Sequence, residues 1–348
     1  MSFRYKLAPQ MQVYDKMRID WKPYIMFFNE SNFYSKVLNT DNFGLRFNNS
    51  SFKKKKSIFD EKIITKKRKA ALIGASTAFG VGATKDENSI SAQLSKKTDF
   101  HFFNISGKAF SGYQETILFQ TLLDKIGKID KIVIFSGLND IFMQYYIEDF
   151  DETLGPFFFN DVYIDAMNSY NLGWKRKSLR ILLSPFLQKK INWSSLSKKE
   201  LKQIIFGNKK IINKSLNKFD NLSYLNQRNL KFWSLIQKLT KIKITYVLQP
   251  LSSWCEKKFS GEEKMIFNEL DNTSIRTFNV LKQLDKIRNY KIYSRNLKNI
   301  CNKNNIKFVD ANELIKKSKF NREWLFVDRA HLTDLGYKRM SELLIEKI

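Results

Sequence analysis

A chain of 348 residues with 43% apolar and 14% aromatic side chains can bury a sizeable core, which excludes a disordered protein and leaves one large domain or two smaller ones. Its formal charge of +27 favours acidic partners such as an anionic glycan, a small anionic ester or an anionic membrane face; the lysines are spread along the chain and no motif reads DNA or RNA, so nucleic acid is set aside. Two cysteines without CxxC spacing (Cys255, Cys301) and only two histidines (His101, His331) exclude a zinc cluster and a His-rich metal site, though not a carboxylate-only one, and no metal or cofactor is expected.

The opening MSFRYKLAPQMQVYDKM is too polar for a signal peptide, and no apolar run approaches the ~20 residues of a membrane span, so the expected compartment is the cytoplasm. Residues 1–65 lack clear periodicity and read as an extension of irregular structure, with one or two short strands, packed on the main body. KKKK at 53–56 reads as a solvated loop, with anion binding as the alternative.

Strand and helix then alternate from residue 66 onward. AALIGAS is a strand; DENSISAQLSKK is a helix capped by Asp86 with Ile90 and Leu94 on one face; FHFFNIS is a strand. YQETILFQTLLDKIG is a helix with Ile117, Leu118, Leu122 and Ile126 inward, and KIVIFSGLND is a strand ending in a glycine turn. Residues 145–230 break the rhythm; this aromatic, basic, partly amphipathic insertion reads as a cover over the site, with peripheral membrane contact as one use of its basic part. The helix RNLKFWSLIQKLTK, the strand ITYVLQP, a helical region over 263–304, the strand IKFVDA and a last helix capped by Thr333 follow. Such alternation implies a parallel sheet covered on both faces, with its site at the carboxyl ends of the strands.

The first strand runs into ALIGASTAFGVG, a turn rich in small residues. A phosphate-binding loop needs G-x-x-x-x-G-K-[ST]; Gly74 and Gly80 are too far apart and no Lys-Thr pair follows. A dinucleotide turn needs G-x-G-x-x-G, and Lys85 stands where the third glycine belongs. There remains Ser76, directly after the strand, as a nucleophile needing a base and oxyanion donors. In FVDRAHLTD, Asp328 precedes His331 by three residues, so a short turn can set the carboxylate against the imidazole. His101, in an aromatic strand, reads as packed structure. SGLND puts the Asn139 amide at the same sheet edge as Ser76, although a turn-forming Asn is its plainer use, and NISGKAFSGYQE offers backbone N–H groups before a helix. Trp254 and the aromatics of 157–174 are either a substrate wall or core.

These turns, in this order, resemble the SGNH hydrolases, the GDSL-like lipase/esterase superfamily: GAST carries Ser76, GLND carries Asn139, and DRAH carries Asp328 and His331. The likeness covers about 70–145 and 228–348, and NTDNFGLR also looks like a segment preceding the core in some bacterial members. Ala75 replaces the usual Asp after the first glycine, and Ala109 stands where the second block has Gly. The resemblance implies a three-layer α/β/α, flavodoxin-like fold with an N-terminal extension and a catalytic domain over 66–348. It further implies a catalytic Ser76, Asp328 and His331, with an oxyanion hole from the Ser76 and Ala109 N–H groups and the Asn139 amide; Gly107 or Gly112 replaces Ala109 if the turn is shifted. The expected activity is removal of an O-acetyl or other short acyl group from a carbohydrate or related ester. The alternatives are an O-acyltransferase with the same residues and a non-catalytic basic module that binds an anionic glycan or membrane.

Overall fold

The computed structural model describes residues 2–52, 56–60, 67–147, 155–170, 218–285 and 287–348. Five apolar runs form one parallel sheet: β3 (Arg68–Gly74), β4 (Phe100–Ser106), β5 (Lys131–Ser136), β6 (Lys243–Leu248) and β7 (Lys307–Asp310), in spatial order β4-β3-β5-β6-β7. Counting only these five, the order is 2-1-3-4-5, the flavodoxin-like arrangement. A separate antiparallel hairpin joins β1 (Ile19–Lys22) to β2 (Met26–Asn29).

Strands buried on both faces read as continuous apolar runs, and ALIG, FFNI and IVIF do so here. On one face Leu72, Phe102, Val133, Val247 and Val309 share a core with α4 (Ile90–Lys97), α9 (Gly261–Asp271), α12 (Ala311–Lys317) and α13 (Asp334–Ile345). The other face is covered by α5 (Gly112–Thr121), α8 (Lys218–Thr240) and α11 (Ile287–Lys303). There the Phe119 ring lies 5.0 Å from Trp233, and Tyr293 Oη donates to the Gly137 carbonyl at 2.6 Å. The expected three layers and parallel sheet are therefore present. Short helices complete this part: α1 (Phe3–Leu7), α2 (Met11–Lys16), α3 (Ser76–Phe79), α6 (Leu123–Ile126), α7 (Leu138–Tyr146) and α10 (Arg276–Gln283).

The described chain divides into a larger unit, 1–158 with 219–348, and a smaller one, 159–218, whose described residues form a helix over 160–170. Most of the expected covering insertion, and most of KKKK, lies outside the described residues.

Several local expectations are corrected. Residues 1–65 are not merely irregular: α1 and α2 precede the hairpin. Helices of five and six residues are too short to hold alone and too short to show a period; Met11, Tyr14, Phe79 and Val81 fix them in a shared apolar cluster. Asp86 does not cap α4. It sits in a 3₁₀ turn, Ser89 accepts the capping bond from Ala92 N, and the Asp86 carboxylate is engaged by Arg46 and Asn39. The helix after β4 breaks at Leu122, leaving Ile117 half-buried, while the helical region expected over 263–304 consists of three helices. Thr333 does cap the last helix, accepting from Gly336 N at 2.9 Å.

His101 is buried with its ring 5.1 Å from Phe103, and burial together with Lys67 and Lys69 pulls its pKa down to about 4 from 6.5. The unfolded chain then binds the proton more readily, so this group contributes stability above pH 6.5 that is lost as pH falls towards 4. Replacing His101 by Phe is expected to flatten the fall of the melting temperature between pH 6.5 and 4.5; an unchanged slope refutes the assignment.

Candidate active site

The carboxyl ends of β3, β4 and β5 each lead into a turn, and the three turns converge. After β3, Gly74 packs so tightly against β5 that an added Cβ would lie 2.2 Å from the Phe135 carbonyl oxygen. This close approach requires glycine and sets Ala75 and Ser76 at the sheet edge. Ser76 opens α3, where its N–H has no intrahelical acceptor and no partner among the described residues.

Ser76 Oγ lies 2.8 Å from His331 Nε2, and His331 Nδ1 lies 2.8 and 2.9 Å from the two Asp328 oxygens. The turn between β7 and α13 that carries both residues is held by the same carboxylate, which accepts from the Ala330 and His331 backbone N–H groups at 2.9 and 2.8 Å. Asp328 is almost wholly buried. Burial opposes its charge, but His331, Arg4 and the Ala330 N–H outweigh that and hold its pKa near about 2. The carboxylate is thus ionised at any working pH and can fix Nδ1–H, leaving Nε2 to accept the serine proton.

The turn after β4 carries Ala109, whose φ of +59° is left-handed, a region natural to glycine. Its N–H has no partner among the described residues, whereas Gly107 N is bonded to the Gly74 carbonyl at 3.2 Å and Gly112 N to Asp140 Oδ1 at 2.9 Å. Of the three backbone donors considered, Ala109 is therefore the one left open towards the site. Left-handed backbone costs a Cβ-bearing residue roughly 1 kcal/mol. Ala109→Gly is expected to keep full activity and to be at least as stable in urea denaturation; a collapse of activity would show that the methyl group matters rather than the N–H. After β5, Gly137 at φ +98° starts α7, and Asn139 on its first turn donates one amide proton to the Phe110 carbonyl at 2.8 Å. An amide carries two protons, so a second remains.

Ser76, Ala109, Asn139 and His331 line one cavity of about 210 Å³, walled otherwise mainly by apolar side chains, among them Met11, Val81, Leu138, Phe142 and Leu281. Arg4, Tyr14, Asp15 and Lys108 also line it, and sequence reasoning missed all four. Arg4, on α1, pairs with Asp15 and stands 3.9 Å from Asp328. The partly buried Lys108 ammonium donates only long bonds among the described residues, to the Tyr14 and Met17 carbonyls at 3.4 and 3.3 Å, and burial lowers its pKa to about 8. Nothing in the local sequence marks Arg4, Tyr14 and Asp15, because α1 and α2 reach the cavity only through tertiary packing; Lys108 lies in the turn after β4, which reads in the sequence as a source of backbone donors alone. Trp254 is not a wall of the cavity: it is fully buried, stacks on Tyr290 at 5.1 Å and donates to the Leu284 carbonyl.

No family model matches the chain, and no curated protein matches it. Among solved structures it is similar to an acetyl xylan esterase, at 11% identity over 80% of this chain and 99% of that one, with a TM-score of 0.40. It is also similar to the lipase/acylhydrolase from Enterococcus faecalis, at 13% identity over 81% and 95% with a TM-score of 0.41. An acetylxylan esterase from Geobacillus stearothermophilus aligns at 13% identity over 80% and 93%, with a TM-score of 0.38.

The N-terminal segment also supports the Ser76 helix from behind. Arg46, from NTDNFGLR, is fully buried and donates to Asp86 at 2.9 Å, to the Phe79 and Gly80 carbonyls at 3.2 and 2.8 Å, and to Tyr14 Oη at 2.9 Å. These carbonyls close the far end of α3, so the turn that presents Ser76 is tied to residues 10–46. No group of three or more metal-ligating side chains occurs among the described residues. No described helix is long and apolar enough to cross a membrane.

Proposed function

We propose that the chain is a serine-dependent acyl-ester hydrolase. The observation that carries this is the continuous hydrogen-bonded line from Ser76 through His331 to Asp328, opening on a cavity that also holds unpaired N–H donors. His331 Nε2 takes the Ser76 proton as Oγ attacks the ester carbonyl carbon, and the Nδ1–H bond to Asp328 stabilises the imidazolium that forms. The new oxyanion is met by the Ser76 and Ala109 N–H groups and the Asn139 amide. Collapse breaks the bond to the alcohol, which leaves with the proton from His331. Water, deprotonated by the same imidazole, then cleaves the acyl-serine and restores the hydroxyl.

An apolar cavity of about 210 Å³ suits a short acyl chain better than a long one, since about 150 Å³ already holds a benzene ring. Lys108 at its edge suits an alcohol portion that carries negative charge. We therefore favour a short-acylated ester with an anionic alcohol portion, and an O-acetylated carbohydrate is the first class to test.

The test is active-site labelling with a fluorophosphonate followed by peptide mapping, together with p-nitrophenyl acetate turnover. A single adduct on Ser76 that is lost in Ser76→Ala and His331→Ala is expected. An unlabelled, folded protein without turnover would favour the binding module, and acetyl transfer to an added sugar in preference to water would favour the transferase. Asn139→Ala is expected to lower kcat by about 10²–10³ with little change in melting temperature; near-normal turnover would remove Asn139 from the oxyanion site.

A further inference from the structure

The opposite end of the sheet carries a second feature. Parallel strands in register place partnered residues on one face, and residues two apart on one strand share that face. Lys131 of β5 and Lys243 of β6 are direct register partners, and Ala70, two after Arg68, partners Lys131 on the other side. Thr245, two after Lys243, partners Lys307 of β7. Four of the five strands therefore begin with a cation on the same face: Arg68, Lys131, Lys243 and Lys307. Phe100 of β4 completes the row as the partner of Arg68, and its ring lies 4.6 Å from the Arg68 guanidinium and 4.4 Å from the Lys131 ammonium.

Lys128 and Lys241 join these four from loops to line a cup of about 980 Å³, whose single acidic side chain, Asp130, is already 3.6 Å from Arg68. Six of the sixteen lining residues are Lys or Arg, against 61 of 348 in the chain, so the cup is basic beyond the general composition. Like charges directly opposed on neighbouring strands destabilise a sheet unless a counter-charge lies between them. Lys131 is also partly buried, and burial together with Arg68, Lys243 and Lys307 disfavours its charge. β3 is seven residues long, at about 3.3 Å each, so about 23 Å of strand separates the cup from the turn that carries Ser76, and the cup lies outside the acyl-binding cavity.

We propose that this cup is a binding site for a compact polyanion carrying several phosphate or sulfate groups, separate from the ester site. Cations from four strands and two loops converge on one concavity, the geometry that holds several anionic groups at once. A concave site of this volume falls in the range that encloses small molecules, which favours a small multiply charged ligand over an extended nucleic acid.

The test is calorimetric titration and thermal shift of the full chain with inorganic triphosphate at low ionic strength. Parallel arms use a sulfated tetrasaccharide and a single-stranded RNA oligonucleotide. One equivalent of triphosphate or sulfated sugar is expected to bind and raise the melting temperature, and the arm that binds tighter identifies the source of the anion. The pair Lys131→Gln with Lys243→Gln should weaken binding at least tenfold, melt no lower than wild type without ligand, and keep p-nitrophenyl acetate turnover. The charge-matched pair Lys264→Gln with Lys298→Gln, on exposed helix positions away from the cup, should leave affinity unchanged. Equal weakening by both pairs would reduce the effect to general charge attraction and overturn the proposal. So would binding of RNA alone, or no binding at all.

Discussion

Asp328→Asn is expected to lower kcat by about 10⁴ while leaving KM nearly unchanged. The carboxylate fixes which imidazole nitrogen bears the proton, because both of its oxygens lie within 2.9 Å of His331 Nδ1. An amide can turn its NH₂ towards Nδ1. The ring proton then moves to Nε2, the atom 2.8 Å from Ser76 Oγ, and the serine loses its acceptor. Asn retains one carbonyl oxygen for the Ala330 and His331 N–H groups, so the turn itself should survive. Steady-state kinetics with p-nitrophenyl acetate, alongside the rate of fluorophosphonate labelling, provide the check. A kcat within tenfold of wild type would mean that Asp328 only shapes the turn. The low pKa of Asp328 adds a stability signature: a carboxylate depressed to about 2 from 3.8 contributes stability that is complete above pH 3.8 and is lost as pH falls towards 2.

Arg46→Met is expected to destabilise the fold by about 3–5 kcal/mol, the largest stability effect of any single change considered. The guanidinium and the Asp86 carboxylate are both fully buried, and three backbone carbonyls, those of Phe79, Gly80 and Val37, depend on the same side chain. Methionine keeps only the aliphatic stem, so the buried carboxylate loses its cation and the Phe79 and Val37 carbonyls lose their side-chain donor. Adding Asp86→Asn should recover part of the loss, since an amide is cheaper to bury than an unpaired carboxylate. Urea unfolding of the two single variants and the double variant measures the coupling. A loss below about 1 kcal/mol in Arg46→Met, or strict additivity in the double variant, would refute a buried ion pair as the link.

The sheet was legible because its strands are buried on both faces and read as unbroken apolar runs between turn residues. Ser76 and Asn139 were legible as residue types at strand ends, and Asp328 and His331 as a pair three apart before the last helix; the structure places Ser76, Asn139 and His331 on one cavity, with Asp328 against His331. The supporting layer was not. Arg46 and Asp86 are 40 positions apart, and each looks locally like a solvated charge or a cap. Arg4 lies in a five-residue helix that displays no period, and its partners are Asp15 on the next helix and Asp328 in a distant part of the chain. Trp254 illustrates the converse limit: an aromatic near a strand end suits a core or a wall equally well until its neighbours are known.

Arg4 and His331 face the same cavity from nearly opposite ends of the chain. A ribosome must therefore make the whole stretch from residue 4 to residue 331 before both sides of the cavity exist together, and a nascent fragment lacking either side cannot form it. Changes confined to α1 and α2 can remodel the wall through Arg4, Met11, Tyr14 and Asp15 without altering any strand of the sheet.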